Sequence, residues 1–183
     1  MDVNQIMEDI IDAKYDELNS LSSADDRFIK VKTFEGNAIG QVGESFVKKV
    51  FSELNIPLDD EREVVHDEYD ILTNGKKIEI KTARQGLKNK TFQFNGINPI
   101  YNHDYIILIG IATNNLYYKI LQGNSYYNHT TRKHYLYVDG ELRQLVSMNP
   151  GNTVNYKLTL TAQKLDDITC FEQEIIRLFG NNE

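Results

Sequence analysis

One run of the sequence restricts the fold more than any other. Tyr105 to Ala112, YIILIGIA, carries no polar side chain except the tyrosine hydroxyl. A bilayer needs about 20 such residues, so no transmembrane helix is expected. In a strand both faces of such a run must be covered, and it reads as a buried central strand. The rest of the chain then has to supply layers around it.

The neighbouring segments supply candidates. Ala38 to Leu54 predicts a helix, with Ile39, Val42, Phe46, Val50 and Leu54 on one face and Asn55 and Pro57 as its stop. A first helix is expected over Val3 to Leu18, followed by a polar loop from Asn19 to Asp26. Short strands are expected at Arg62 to Val65, Asp70 to Thr73, Lys76 to Thr82, Leu116 to Leu121 and Tyr156 to Thr161. Asn74-Gly75 and Asp139-Gly140 are two-residue hairpin turns, and Asn149-Pro150-Gly151 is a further turn. A closing helix is expected over Leu165 to Phe179, with Ile168, Phe171, Ile175 and Phe179 on one side. There is no repeat, low-complexity tract or linker. The expected fold is α/β or α+β, a mixed sheet flanked by helices, in one domain of 183 residues. It divides into a helical extension (1–35), a core (36–112) and a region of added strands with a loop and a C-terminal helix (113–183).

Composition fits a globular chain, with 40% hydrophobic and 26% charged residues. The acidic N-terminus lacks a basic leader, and the single cysteine, Cys170, allows no internal disulfide. Both point to a reducing, cytoplasmic setting. A net charge of −7 argues against a passive nucleic-acid coat. It is compatible with a metal-dependent enzyme acting on phosphates, where the acids hold the metal and the metal brings the positive charge.

The Asn74-Gly75 turn sets a register with chemical consequences. Thr73 faces Lys76, Leu72 faces Lys77, Ile71 faces Ile78, and Asp70 then falls opposite Glu79. Lys81 shares that face, while Ile71, Ile78 and Ile80 point into the core. Two carboxylates about 5 Å apart repel by about 3 kcal/mol at an effective dielectric near 20. A divalent cation offsets that, and Lys81 offsets part of it. The alternative is a solvated strand face, where water screens the repulsion. An E-x-K triplet is weak evidence alone: Asp12-Ala13-Lys14 is a comparable D-x-K on a predicted helix. It is the register that makes Asp70, Glu79 and Lys81 specific.

Asp70, then Glu79-Ile80-Lys81 on the next strand, preceded by a glycine-flanked helix carrying Glu44, resembles the PD-(D/E)xK nuclease superfamily. The resemblance covers roughly Gly36 to Ala112. The tract FQFNGINP and then YNHDYIILIGI is similar to the segment after the lysine in type II restriction endonucleases. The proline usual before the aspartate is absent, and Tyr69 stands there. The resemblance implies a core of helix, antiparallel hairpin, helix or loop, and further strand. It implies Asp70 and Glu79 as ligands of Mg²⁺, with Mn²⁺ able to substitute and the Ile80 carbonyl a further ligand. It implies Lys81 as the group that handles the attacking water or the phosphate charge, and Glu44 as a helix-borne acid completing the site. An ordinary exposed helix glutamate is the alternative for Glu44. In-line attack of water on a phosphodiester, without a covalent enzyme intermediate, would result.

The implied partner is double-stranded DNA. Arg84, Gln85, Lys88, Lys90, Gln93 and Asn95, just beyond the lysine strand, are candidates for backbone or base contacts. YYNHTTRKHY, with Arg132, Lys133 and His134, is a candidate recognition loop. Solvated polar loops are the alternative for both. His129 and His134 lack acidic or cysteine company for a zinc site, and His66 lies near Asp70 at a strand end. The expected function is that of a type II restriction endonuclease. Cutting both strands calls for two sites, hence a homodimer, or a heteromer with a recognition subunit. A repair or junction nuclease of the same fold and a non-catalytic DNA-binding or interaction module are the rival readings.

Overall fold

The computed structural model describes residues 26–59, 69–149, 151 and 153–180, together with Ile10 and Asp16. The helix expected over Val3 to Leu18 apart from Ile10 and Asp16, nearly all of the loop after it, the strand at Arg62 to Val65, His66 and the centre of the Asn149–Gly151 turn lie outside the described residues.

A mixed five-stranded sheet organises the chain, with the apolar run at its centre. Its strands are β1 (Ile71–Thr73), β2 (Lys76–Arg84), β4 (Tyr105–Ile111), β5 (Leu116–Gln122) and β11 (Asp166–Asp167), in the order β1-β2-β4-β5-β11. β2 and β4 run parallel; the other neighbours are antiparallel. Between β2 and β4 the chain forms β3 (Thr91–Ile97), which pairs with β10 (Tyr156–Thr161) and, through it, β9 (Val146–Ser147) in a second sheet. A third sheet holds β6 (Tyr126–Asn128), β7 (Lys133–Val138) and β8 (Glu141–Gln144).

Alternation along β4 divides the core in two. Ile107, Ile109 and Ile111 pack with Ile71, Ile78 and Ile80 under helices α1 (Gly36–Glu53) and α2 (Phe171–Phe179). Ile106 and Leu108 face the other way, onto Phe92, Phe94, Leu136, Val138, Leu158 and Leu160. Among the described residues the architecture is therefore mixed α/β, with helices on one face of the sheet and small antiparallel sheets on the other. The expected flanking by helices is met, within these residues, on one face only. The reason is the period of TFQFN: Phe92 and Phe94 are fully buried while Gln93 and Asn95 point outward, which a strand permits and a helix does not. Each buried phenylalanine contributes about 2–3 kcal/mol relative to exposure.

Three further boundaries differ from expectation. The buried row of α1 is Ile39, Gly43, Val47 and Phe51, at steps of four, whereas Val42 is 39% exposed. Gly43 decides this, because a Cβ there would sit 1.7 Å from the Thr82 Oγ1 of β2. α2 begins only at Phe171: Asp166 and Asp167 pair with β5, and the Asp167 side chain caps the 3-10 turn Ile168–Cys170 by accepting from the Thr169 N–H. YYNHTTRKHY is mostly hairpin, with Tyr126↔Tyr135 and Tyr127↔His134 paired. Among the described residues no helix is long and apolar enough to cross a membrane.

Candidate active site

The hairpin forms as the sequence dictates. Asn74 and Gly75 adopt φ of 48° and 72°, and the pairs are Ile71↔Ile78, Leu72↔Lys77 and Thr73↔Lys76. The ladder stops there. Asp70 is not a ladder partner of Glu79: its N–H donates to the Ile78 carbonyl at 3.0 Å, and its Oδ2 accepts from the Ile80 N–H at 2.7 Å. In β2 the odd residues bond toward β4, as Lys77 near its start and Gln85 just past its end do. The even ones therefore turn their backbone groups toward β1. Where β1 ends, Ile80 still carries an N–H that needs an acceptor, and the Asp70 carboxylate supplies it. The Ile80 carbonyl opens to the same edge.

Glu79 lies on the opposite face of β2 from the isoleucines and is 9% exposed. Its Oε1 contacts the Lys81 ammonium, and its Oε2 lies 3.4 Å from Nε2 of His103. Burial pushes the Glu79 carboxyl up to about 7; Lys81 opposes the shift, and Asp70 and Glu44 add to it. Burial also raises Asp70, against the Ile80 N–H and Lys81, with Glu44 again adding to the rise. The charges of Asp70 and Glu44 thus act on Glu79, and that of Glu44 on Asp70, with Lys81 opposing at both and Lys48 opposing at Asp70.

Glu44 reaches this group because Gly43 lets α1 close on β2. Its carboxylate is 2.5 Å from the Lys48 ammonium, one turn on. An open cleft of about 800 Å³ runs between the N-terminal half of α1, the end of β2 and β3. Glu44, Asp70, Ile80, Lys81, Arg84, Gln93 and Asn95 all line it. Glu79 does not; it sits beside Lys81 in the protein interior.

Among the described residues no group of three or more acidic, histidine or cysteine side chains is placed to hold a metal ion by itself. Mg²⁺ does not require one: it takes one or two carboxylates and completes its shell with water and phosphate. The donors here are hard oxygens, namely Asp70, Glu79 and the Ile80 carbonyl, with Glu44 nearby. The donor set fits a divalent cation of the Mg²⁺ or Mn²⁺ kind.

The remaining candidates fall into separate groups. Gln93 and Asn95 bond to each other on the cleft wall. The Arg84 guanidinium donates to the Lys32 and Phe34 carbonyls at 2.8 and 3.1 Å, tying the 3-10 turn Ile29–Thr33 to β2. Gln85, Lys88 and Lys90 belong to the β2–β3 connection, where the Gln85 amide donates to the Lys90 carbonyl. Arg132, Lys133 and His134 lie on the third sheet, away from the cleft walls; His134 packs its ring between Tyr127 and Tyr156. His103 escaped the sequence reasoning, which had no signal for it: the residue is far from Glu79 along the chain and adjoins it through the parallel β2–β4 pairing. No family model matches this chain, and no curated protein matches it.

Proposed function

We propose that the chain is a Mg²⁺-dependent endodeoxyribonuclease with a restriction-endonuclease-like core, most plainly of type II, hydrolysing phosphodiester bonds of double-stranded DNA. The observation that carries this reading is the Asp70–Glu79–Lys81 group. Two buried carboxyls held above their ordinary range share one lysine at the end of a hairpin that opens on a cleft.

Asp70, Glu79 and the Ile80 carbonyl would hold the cation, and Glu44 would support them. When bound, the cation would supply Lewis-acid polarisation of a phosphate oxygen and acidify water. Lys81 acts on the cleft side: it neutralises phosphate charge, and it exchanges its contact with Glu79 for one with the attacking water or the scissile group. Asp70 is oriented by the Ile80 N–H, so its second oxygen keeps its direction without substrate. Gln93 and Asn95 present amides of the kind that read base edges. Arg84 is committed to backbone carbonyls. Cationic grip on DNA therefore falls to Lys88, Lys90 and a second subunit, which favours a homodimer or a heteromer with a recognition subunit.

The test is cleavage of unmethylated phage DNA with Mg²⁺ or with EDTA, by wild type, Glu79→Gln and Lys81→Met. Discrete fragments that need Mg²⁺ and fall by about 10²–10⁴-fold in Lys81→Met support the reading. A Mg²⁺-dependent smear keeps the chemistry and removes the restriction assignment. Absence of cleavage by the wild-type homomer, with no DNA-dependent shift, overturns it in favour of an interaction module.

A further inference from the structure

His103 lies two residues before β4, and the chain around it is held from several sides. The Asp104 N–H donates to the Lys77 carbonyl at 2.9 Å, and the Asp104 Oδ2 accepts from the Lys77 N–H at 2.8 Å. This reciprocal pair fastens the segment to the start of β2. The Gly123 N–H donates to the Asp104 carbonyl at 3.1 Å. A Cβ at Gly123 would fall 2.2 Å from the His103 carbonyl oxygen, so only glycine lets the end of β5 close there. The ring of Tyr101 stands edge-on to the imidazole, with centroids 6.1 Å apart. The His103 side chain is 2% exposed. An imidazole with so little freedom, placed 3.4 Å from one oxygen of a buried glutamate, restricts where that carboxylate can go.

The two oxygens of Glu79 face two different neighbours, the Lys81 ammonium and the buried Nε2 of His103, which makes contact at 3.4 Å without a hydrogen bond. Oε1 meets Lys81 and Oε2 meets His103. Lys81 lines the cleft and has work to do there, so its hold on Glu79 must be released when phosphate arrives. His103 does not line the cleft, and the backbone ties of Asp104 to Lys77 and Gly123 fix the segment that carries it. Of the two neighbours, His103 is the one that remains to limit where the Glu79 carboxylate goes while Lys81 is engaged elsewhere.

We propose that His103 is a positioning residue for Glu79, fixing through its imidazole the carboxylate rotamer that Glu79 offers to a divalent cation shared with Asp70. The proposal rests on the cation-site reading and deepens it. Groups that orient metal ligands from behind commonly change metal affinity by about 10–100-fold when removed.

The test reads cation affinity, not turnover. Mn²⁺ binding to the full chain is measured from the free-ion electron paramagnetic resonance signal for wild type, Glu79→Gln, His103→Leu and His103→Gln. Leucine fills the space without a polar group; glutamine offers a polar N–H group in its place. Far- and near-ultraviolet circular dichroism in EDTA shows that each variant keeps its fold. The expected result is Mn²⁺ binding by wild type, its loss in Glu79→Gln, weakening by about tenfold or more in His103→Leu, and substantial recovery in His103→Gln. Wild-type affinity in His103→Leu, or glutamine binding no tighter than leucine, overturns the role of His103 and leaves the cation site standing. No Mn²⁺ binding by wild type, or none that depends on Glu79, removes the cation site and the His103 role together.

Discussion

Replacing Glu79 by glutamine is expected to stabilise the cation-free protein at pH 8. Burial holds the Glu79 carboxyl at about 7 against an ordinary 4.5. The folded chain therefore binds this proton more tightly than the unfolded chain does. Stability from this group is full at low pH and is lost as pH rises from about 4.5 to about 7. Above that window the folded state carries a cost of about 3 kcal/mol for the buried charge. Glutamine removes the cost and keeps the shape. That figure is already net of the attraction of Lys81, which opposes the rise. The gain is therefore about 3 kcal/mol at pH 8, or about 6–12 °C in Tm for a chain of this size. At pH 4.5 nearly all of the gain should be gone. Thermal melts of wild type and Glu79→Gln in EDTA at both pH values measure this, and the comparison between variants cancels the other titrating groups. Equal effects at the two pH values, or destabilisation at pH 8, would refute the reasoning.

Other substitutions test the scaffold. Gly43→Ala should destabilise by about 1–3 kcal/mol through overpacking against Thr82, with partial recovery in the Gly43→Ala/Thr82→Ala double variant by urea titration. Gly75→Ala, at φ +72°, should cost about 1 kcal/mol by strain in the hairpin turn, read as a lower urea midpoint with an unchanged slope. Arg84→Ala should speed hydrogen exchange over the 3-10 turn Ile29–Thr33 that it clamps, and should lower DNA affinity little; a large affinity loss with unchanged exchange would return Arg84 to the DNA-contacting set.

Much of the hairpin was legible because its causes are local. Asn74-Gly75 accepts positive φ, which sets the twist and the register, and the register separates the isoleucines from Glu79 and Lys81. The apolar run announced a strand covered on both faces for an equally direct reason, since it has no face to show to water. Two-residue turns and side-chain alternation act over a few residues, so they can be read in one dimension.

The surroundings of these elements were not legible in that way. Ideal pairing would extend the ladder to Asp70↔Glu79. In the folded chain β1 ends one residue earlier, and Asp70 takes the Ile80 N–H instead. The buried row of α1 depends on Gly43 meeting Thr82, which only the docked sheet can decide. Which layer covers the second face of β4 depends on β3 and β10 finding each other from distant parts of the chain. The neighbour of Glu79 is His103, brought there by parallel pairing with no turn signal between the strands. By itself the sequence determined the hairpin, the register of Ile71–Thr73 against Lys76–Ile78 and the shared face of Glu79 and Lys81, because backbone sterics and alternation are local. Tertiary structure alone decided their burial and their partners, and so the upward shift of the Asp70 and Glu79 carboxyls, because desolvation and Coulomb interaction depend on distance in space rather than along the chain.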